Sequence, residues 1–222
     1  MLNTLLDMLP SAIGVAISPV PIIAVIVMLM SKKAIVNGMA FVVGWMAALF
    51  ILGLIVLSIG ATQNVNAEDN ATVLLAELVI GVIFLVLALF SWDKRPAKGA
   101  LTPLPTWIAR IETMKWYVAL GLSMFLVILN PKNLMLTIAG MLAVAHSTLT
   151  DGEIIGLLMV FVVVASLTIF APFIFFLAAG ESAKKRLLTA RAWLERHNAV
   201  IMALLLLVIG LKLTVQAVIG LA

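Results

Sequence analysis

The sequence has no cysteine, only two histidines and one tyrosine, and charged residues make up just 11% of its 222 residues. The absence of cysteine excludes disulfides, thiolate metal sites and thiol redox chemistry. The paired-histidine motif of zinc proteases and the glycine-rich phosphate-binding loop are also missing. We therefore expect no enzymatic activity, no metal and no cofactor. An intramembrane enzyme is the weakest alternative, because no nucleophile and base are recognisable as a pair.

The chain is instead rich in long apolar runs, and 64% of its residues are hydrophobic. Residues 8–30, 34–67 and 154–180 contain no charge, and residues 71–91, 117–145 and 199–221 contain one charged residue each. Each run exceeds the roughly 18 residues that indicate a transmembrane helix. The first run is too long for a cleaved signal peptide and lacks a basic segment before it. The sequence therefore predicts an all-α membrane protein with six transmembrane helices.

Basic residues are concentrated in alternate loops of this six-helix arrangement. Loops 62–70 and 146–153 contain no Lys or Arg, whereas the other three loops hold 12 of the 14: Lys32, Lys33, Lys94, Arg95, Lys98, Arg110, Lys115, Lys184, Lys185, Arg186, Arg191 and Arg196. By the positive-inside rule the basic side is cytoplasmic, so both termini face outward. We expect a multi-pass protein of the bacterial cytoplasmic membrane. Because the basic residues are explained by this topology, the net charge of +4 does not indicate a nucleic-acid partner.

The first three and the last three predicted helices then run in opposite directions, which is the arrangement of an inverted repeat. We predict one transmembrane domain over residues 1–222. Its repeats cover about 5–91 and about 117–222, with a linker at about 92–116. Residues 106–116 and 182–197 have basic and aromatic residues spaced along amphipathic helices, which predicts two cytoplasmic helices lying in the interface. Ala40, Gly44 and Ala48 form a small-residue face that predicts close helix packing.

Prolines follow a polar residue in the middle of both the first and the fourth predicted helices. The two segments are Ser18-Pro19-Val20-Pro21 and Asn130-Pro131-Lys132-Asn133. Proline removes a backbone hydrogen bond and clashes with the preceding turn. One such proline often only bends a membrane helix, but two at matching depth predict broken helices whose breaks face each other.

A few charged side chains fall inside the predicted helices, where burial normally marks a functional or paired group. Lys132 has no carboxylate at matching depth, which leaves snorkelling, deprotonation or an anionic ligand. Lys212 is assigned either to an ion pair with Glu77 or to the substrate, and the ion pair is the favoured interpretation. Glu77, Asp7 and His146 are candidates for proton coupling, although each alone fits a structural role better.

A broken helix exposes backbone N–H groups that attract negative charge. We therefore predict an anion-binding site between the two breaks. Its substrate-binding residues are Ser18, Pro19, Pro21, Asn130, Pro131, Lys132 and Asn133, with Lys212 as a further candidate.

The two proline segments resemble those of the lysine exporter superfamily, whose members typically carry Pro-Gly-Pro in the first helix and Asn-Pro-Lys in the fourth. Val20 stands at the glycine position here. Together with the segment Asn37-Gly38-Met39-Ala40-Phe41-Val42-Val43-Gly44-Trp45, this variant is similar to the GAP branch, also called the sulfolipid-1-addressing proteins.

The resemblance implies export of a lipid, glycolipid or related anionic amphiphile toward the cell envelope. We expect the proton gradient to drive this export. The alternatives are an exporter of amino acids or other small metabolites, and a non-transporting membrane subunit of an envelope-assembly complex. As partners we expect membrane lipids and the anionic or amphiphilic substrate, with a homodimer left open.

Overall fold

The computed structural model describes residues 1–61, 67–93 and 114–221, and within these ranges the chain is entirely helical apart from short connections. The first four helices are α1 (Leu2–Ala16), α2 (Pro19–Leu29), α3 (Ala34–Ala61) and α4 (Ala67–Asp93). The other four are α5 (Trp116–Ile128), α6 (Pro131–Ala145), α7 (Asp151–Ala179) and α8 (Ala183–Leu221).

The predicted break in the first apolar run is present, and α1 and α2 are bent by 50° relative to each other. Ser18 is extended, with φ −111° and ψ 100°, and Pro19 is the first residue of α2. A residue that precedes proline is pushed out of the helical conformation, whereas proline itself fits the first turn. The Ser18-Pro19 pair therefore both ends one helix and starts the next.

The fourth run breaks in the same way, with a bend of 67° between α5 and α6. Asn130 is extended and its side chain accepts a hydrogen bond from the backbone N–H of Lys132 at 3.1 Å. Pro131 follows as the first residue of α6. Asparagine is a favoured N-cap residue, so Asn130-Pro131 is a helix start in the middle of an apolar run.

Two stretches, Ala34–Gly60 and Asp151–Leu221, are long and apolar enough to cross a membrane. Each bent helix pair also qualifies if it is counted as one span, which gives up to four candidate spans in the described ranges. In these ranges the chain is therefore all-helical, with two to four candidate membrane spans. The number six, the inverted repeat and the orientation stay predictions.

The segment predicted as an interfacial helix, residues 182–197, is helical, but it is continuous with the helix that follows it. This segment forms the beginning of α8, which continues for 39 residues to Leu221. Between Ala183 and Ile209 there is no glycine or proline, so nothing interrupts the helix. The chain turns before α8 instead, at Gly180, whose φ of 54° favours glycine. The other predicted interfacial helix, over residues 106–116, lies almost entirely outside the described residues.

Helix packing brings the two broken pairs into contact. The helix α1 packs on α6 and α7, α3 packs on α5, α6 and α7, and α4 packs along α8. The predicted small-residue face of α3 is confirmed, because a Cβ at Gly44 would lie 2.5 Å from the Leu120 carbonyl oxygen of α5. Only a residue without a side chain permits this approach.

Candidate functional site

The C-terminal end of α1 is a group of backbone carbonyls that the proline segment leaves without their usual partners. In a continuous helix, Ile17 O would accept from residue 21, but Pro21 has no N–H. Gly14 O would accept from Ser18, whose N–H instead donates to Ala16 O at 2.9 Å. Buried carbonyls of this kind must find donors elsewhere in the protein.

Lys132 supplies those donors. Its Nζ donates to Gly14 O at 2.8 Å and to Ile17 O at 3.1 Å. The side chain is only 3% exposed, so this ammonium group is almost completely removed from solvent. The end of a helix carries partial negative charge, which favours a cation there. In the structure the hydrogen-bond partners of Lys132 are thus the carbonyls at the end of α1.

Ser18 and Asn133 connect the two breaks directly. Ser18 Oγ donates to Asn133 Oδ1 at 2.7 Å, and Asn133 Nδ2 donates to Leu126 O of α5 at 3.1 Å. In an unbroken helix, Leu126 O would accept from the N–H of Asn130. Asn133 therefore satisfies the carbonyl that the second break exposes, while it also binds the residue at the first break. The prediction that the breaks face each other is confirmed.

A third element, α7, also contacts the carbonyls at the end of α1. Thr168 Oγ1 donates a hydrogen bond to Ala16 O. The contact was not predicted from the sequence. A hydroxyl in the middle of the apolar run 154–180 was the available signal. Together, Lys132 and Thr168 provide side-chain donors to three carbonyls in the last turn of α1.

The other predicted residues of this site determine the backbone conformation at the two breaks. Pro19 and Pro21 are buried in the first turn of α2, where they create the unpaired carbonyls. Asn130 caps α6 and is partly buried, and Pro131 is exposed at the helix start. These four residues shape the backbone, whereas Ser18, Lys132 and Asn133 present polar side chains in the space between the breaks.

Lys212 lies elsewhere. Its Nζ donates to Asp7 O at 3.3 Å, and Asp7 is seven residues from Gly14 on α1. That spacing corresponds to about 10 Å along the helix. Glu77 lies close enough to Lys212 for an electrostatic interaction. The two form no direct ion pair, since Glu77 Oε2 is buried and without a hydrogen-bond partner in the described part of the chain.

The remaining proton-coupling candidates are dispersed. His146 is the residue at the C-terminal end of α6, and the Asp7 side chain is exposed on α1. Across residues 1–61, 67–93 and 114–221, no three His, Asp or Glu side chains are grouped so that they could hold a metal ion. Of the predicted site residues, Lys132 is the one whose side chain contacts the carbonyls at the end of α1.

No curated protein and no solved structure matches the chain significantly. One family profile does, and it covers nearly the whole chain. That profile is described as Sap, sulfolipid-1-addressing protein, and it matches residues 8–219, so the chain belongs to this family.

Proposed function

We propose that this protein is a transporter that moves an anionic or amphiphilic, lipid-related compound across the membrane toward the cell envelope. The observation that carries the proposal is the contact between two interrupted helices through the buried ammonium group of Lys132. Interrupted helices at matching positions are typical of transporter substrate sites. The family description, which refers to sulfolipid addressing, supports a lipid-related substrate.

We also propose six transmembrane helices in two inverted repeats, with both termini outside, and a place in the lysine exporter superfamily. In such a repeat, α4 corresponds to α8 and α3 corresponds to α7. Both corresponding pairs pack against each other, as elements on a two-fold axis do. The confinement of basic residues to alternate loops supports the orientation.

The mechanism follows from competition for the Lys132 ammonium group. Its two bonds to Gly14 and Ile17 use two of its three N–H donors. An anionic headgroup carries a full negative charge, whereas a carbonyl carries only a partial one, so the headgroup binds the ammonium more strongly. When the headgroup binds Lys132 Nζ, the hydrogen bonds from Nζ to Gly14 O and Ile17 O break. The end of α1 then loses these contacts with α6. Substrate binding is thereby coupled to movement at both breaks.

Proton coupling is assigned to Glu77, because its buried Oε2 lacks a hydrogen-bond partner in the described ranges and Lys212 is its electrostatic neighbour. A buried carboxyl group in this setting is stabilised either by binding a proton or by the nearby positive charge of Lys212, so it can bind and release a proton as that charge moves. Asp7 and His146 belong to the same proposal as groups near the proposed outer face. The membrane is the bacterial cytoplasmic membrane.

The test uses the purified protein in liposomes that contain fluorescent phosphatidylglycerol and, in parallel, the anionic lipid extract of the native bacterium. Transfer between leaflets is followed by dithionite quenching with and without a proton gradient. We expect gradient-dependent transfer by the natural chain and background transfer by Lys132→Ala. Efflux of radioactive lysine without lipid transfer would instead establish the amino-acid exporter. No movement of either class would establish the non-transporting subunit.

A further inference from the structure

A pocket of about 410 Å³ opens at the lysine-rich end of the bundle, where the α2–α3 connection meets the start of α8. Its charged lining residues are Lys32, Lys33, Lys184 and Glu181, which give a net charge of +2. Glu181 binds Lys184 at 2.7 Å, but the Glu181 side chain is 80% exposed. An ion pair so exposed is weak, so an incoming anion can displace Glu181.

An apolar groove of about 390 Å³ begins at the same place. It runs between α3 and α5 and is lined by Ile35, Val36, Met39, Val43, Trp116 and Leu120, together with Ala40. Ile35 and Val36 also line the lysine pocket, so the two spaces adjoin each other. From Ile35 to Val43 the groove extends about 12 Å along α3. Its side chains are about half exposed, as expected of a surface that faces lipid.

The combined space matches the shape and charge of one class of molecule. A cationic pocket that adjoins an apolar groove is complementary to an anionic headgroup attached to a hydrocarbon chain. A free anion would leave the groove without a function, and a neutral lipid would leave the pocket's net charge of +2 unbalanced. Each volume lies within the roughly 300–1,000 Å³ that is typical of small-molecule sites.

We propose that these two adjoining spaces together form the loading site for an anionic membrane lipid, with its headgroup at Lys32, Lys33 and Lys184 and one acyl chain along the α3–α5 groove. The proposal rests on the proposed lipid transport and adds where the lipid is taken up. In the proposed orientation this end is cytoplasmic, so the lipid is recruited from the inner leaflet. The site is separate from Lys132, which receives the headgroup later.

The experiment uses the full chain in nanodiscs with palmitoyl-oleoyl-phosphatidylglycerol that carries a photoreactive acyl chain. Cross-linked peptides are identified by mass spectrometry. We expect labelling within residues 35–43 and 116–120. Since each basic residue near an anionic surface contributes free energy, apparent affinity should fall about fivefold for Lys32→Ala and about thirtyfold for Lys32→Ala with Lys33→Ala. Lys185→Ala with Arg186→Ala is the matched control, because both residues lie outside the pocket and are exposed.

Groove occupancy is tested by blocking it. Val43→Trp should abolish labelling at residues 116–120, whereas Ile55→Trp should leave it unchanged. The two side chains are 51% and 50% exposed on the same helix, but Ile55 is not part of the groove. The natural chain gives a test without substitution, since phosphatidylcholine with the same photoreactive chain should label at least several times less.

Equal labelling by the two lipids, or displacement of the label by soluble glycerol phosphate, would overturn the proposal. So would unchanged labelling in the double lysine variant. Leaflet transfer is measured in the same preparations to separate the two proposals. Labelling without any transfer contradicts the transport function but supports the lipid site. Transfer without labelling supports the transport function but contradicts the lipid site.

Discussion

Replacement of Lys132 by methionine removes the cation at the convergence of the two breaks while it keeps the length of the side chain. Two hydrogen bonds from a charged donor are lost, and each contributes about 1.5–3 kcal/mol. The variant also avoids the cost of burying the charge, which is about 2.5–3.5 kcal/mol on insertion scales, and this term is stabilising. The second term offsets much of the first, so we expect Lys132→Met to be destabilised by no more than about 3.5 kcal/mol and to remain folded.

Transport should respond far more strongly than stability. A unit charge 4 Å from an anionic group contributes about 4 kcal/mol at the effective dielectric typical of proteins. Loss of that contribution lowers the rate about a thousandfold, which is background in the leaflet-transfer assay. Lys185→Met is the control, because it removes an exposed lysine outside the site. Wild-type transfer by Lys132→Met would refute the reasoning, provided that both variants elute as single folded species.

Three further outcomes are expected. Gly44→Ala should destabilise the protein by about 1–3 kcal/mol, because the added Cβ clashes with α5. Gly121→Ala is the control and should not destabilise the protein, since nothing lies within 4 Å of a Cβ there. Thermal unfolding in detergent compares the two variants. Ser18→Ala should lower stability by about 1–3 kcal/mol, because Asn133 Oδ1 loses its donor. The chain has no cysteine, so an impermeant maleimide should label Asp151→Cys in intact cells but Lys32→Cys only after permeabilisation, and the reverse pattern would contradict the orientation.

The sequence predicted the parts of the fold that depend on local chemistry. Ser18-Pro19 and Asn130-Pro131 break their helices because the effect of proline on the backbone is independent of the rest of the fold. The packing role of Gly44 was predictable for a similar reason, since small residues at four-residue spacing permit close contact in any helix pair.

What the sequence could not provide was the choice of partner for a buried polar group. Lys132 has carboxylates, carbonyls, water and ligands as conceivable partners, and only the bend of α1 brings the Gly14 and Ile17 carbonyls within reach. The continuity of residues 182–197 with the rest of α8 was not predicted for a related reason. An amphipathic pattern also fits the exposed part of a longer helix, and packing decides whether α8 continues.

The central claim is that the buried ammonium group of Lys132 holds the end of α1, and one solid-state NMR distance tests it directly. The protein is labelled with ¹⁵N at lysine Nζ and ¹³C at glycine carbonyls and is reconstituted in lipid. The 2.8 Å hydrogen bond to Gly14 O places Lys132 Nζ about 4 Å from the Gly14 carbonyl carbon. We expect a dipolar coupling of that size in the natural chain and its loss in Lys132→Met. The same coupling in both proteins, or none in the natural chain, would contradict the account.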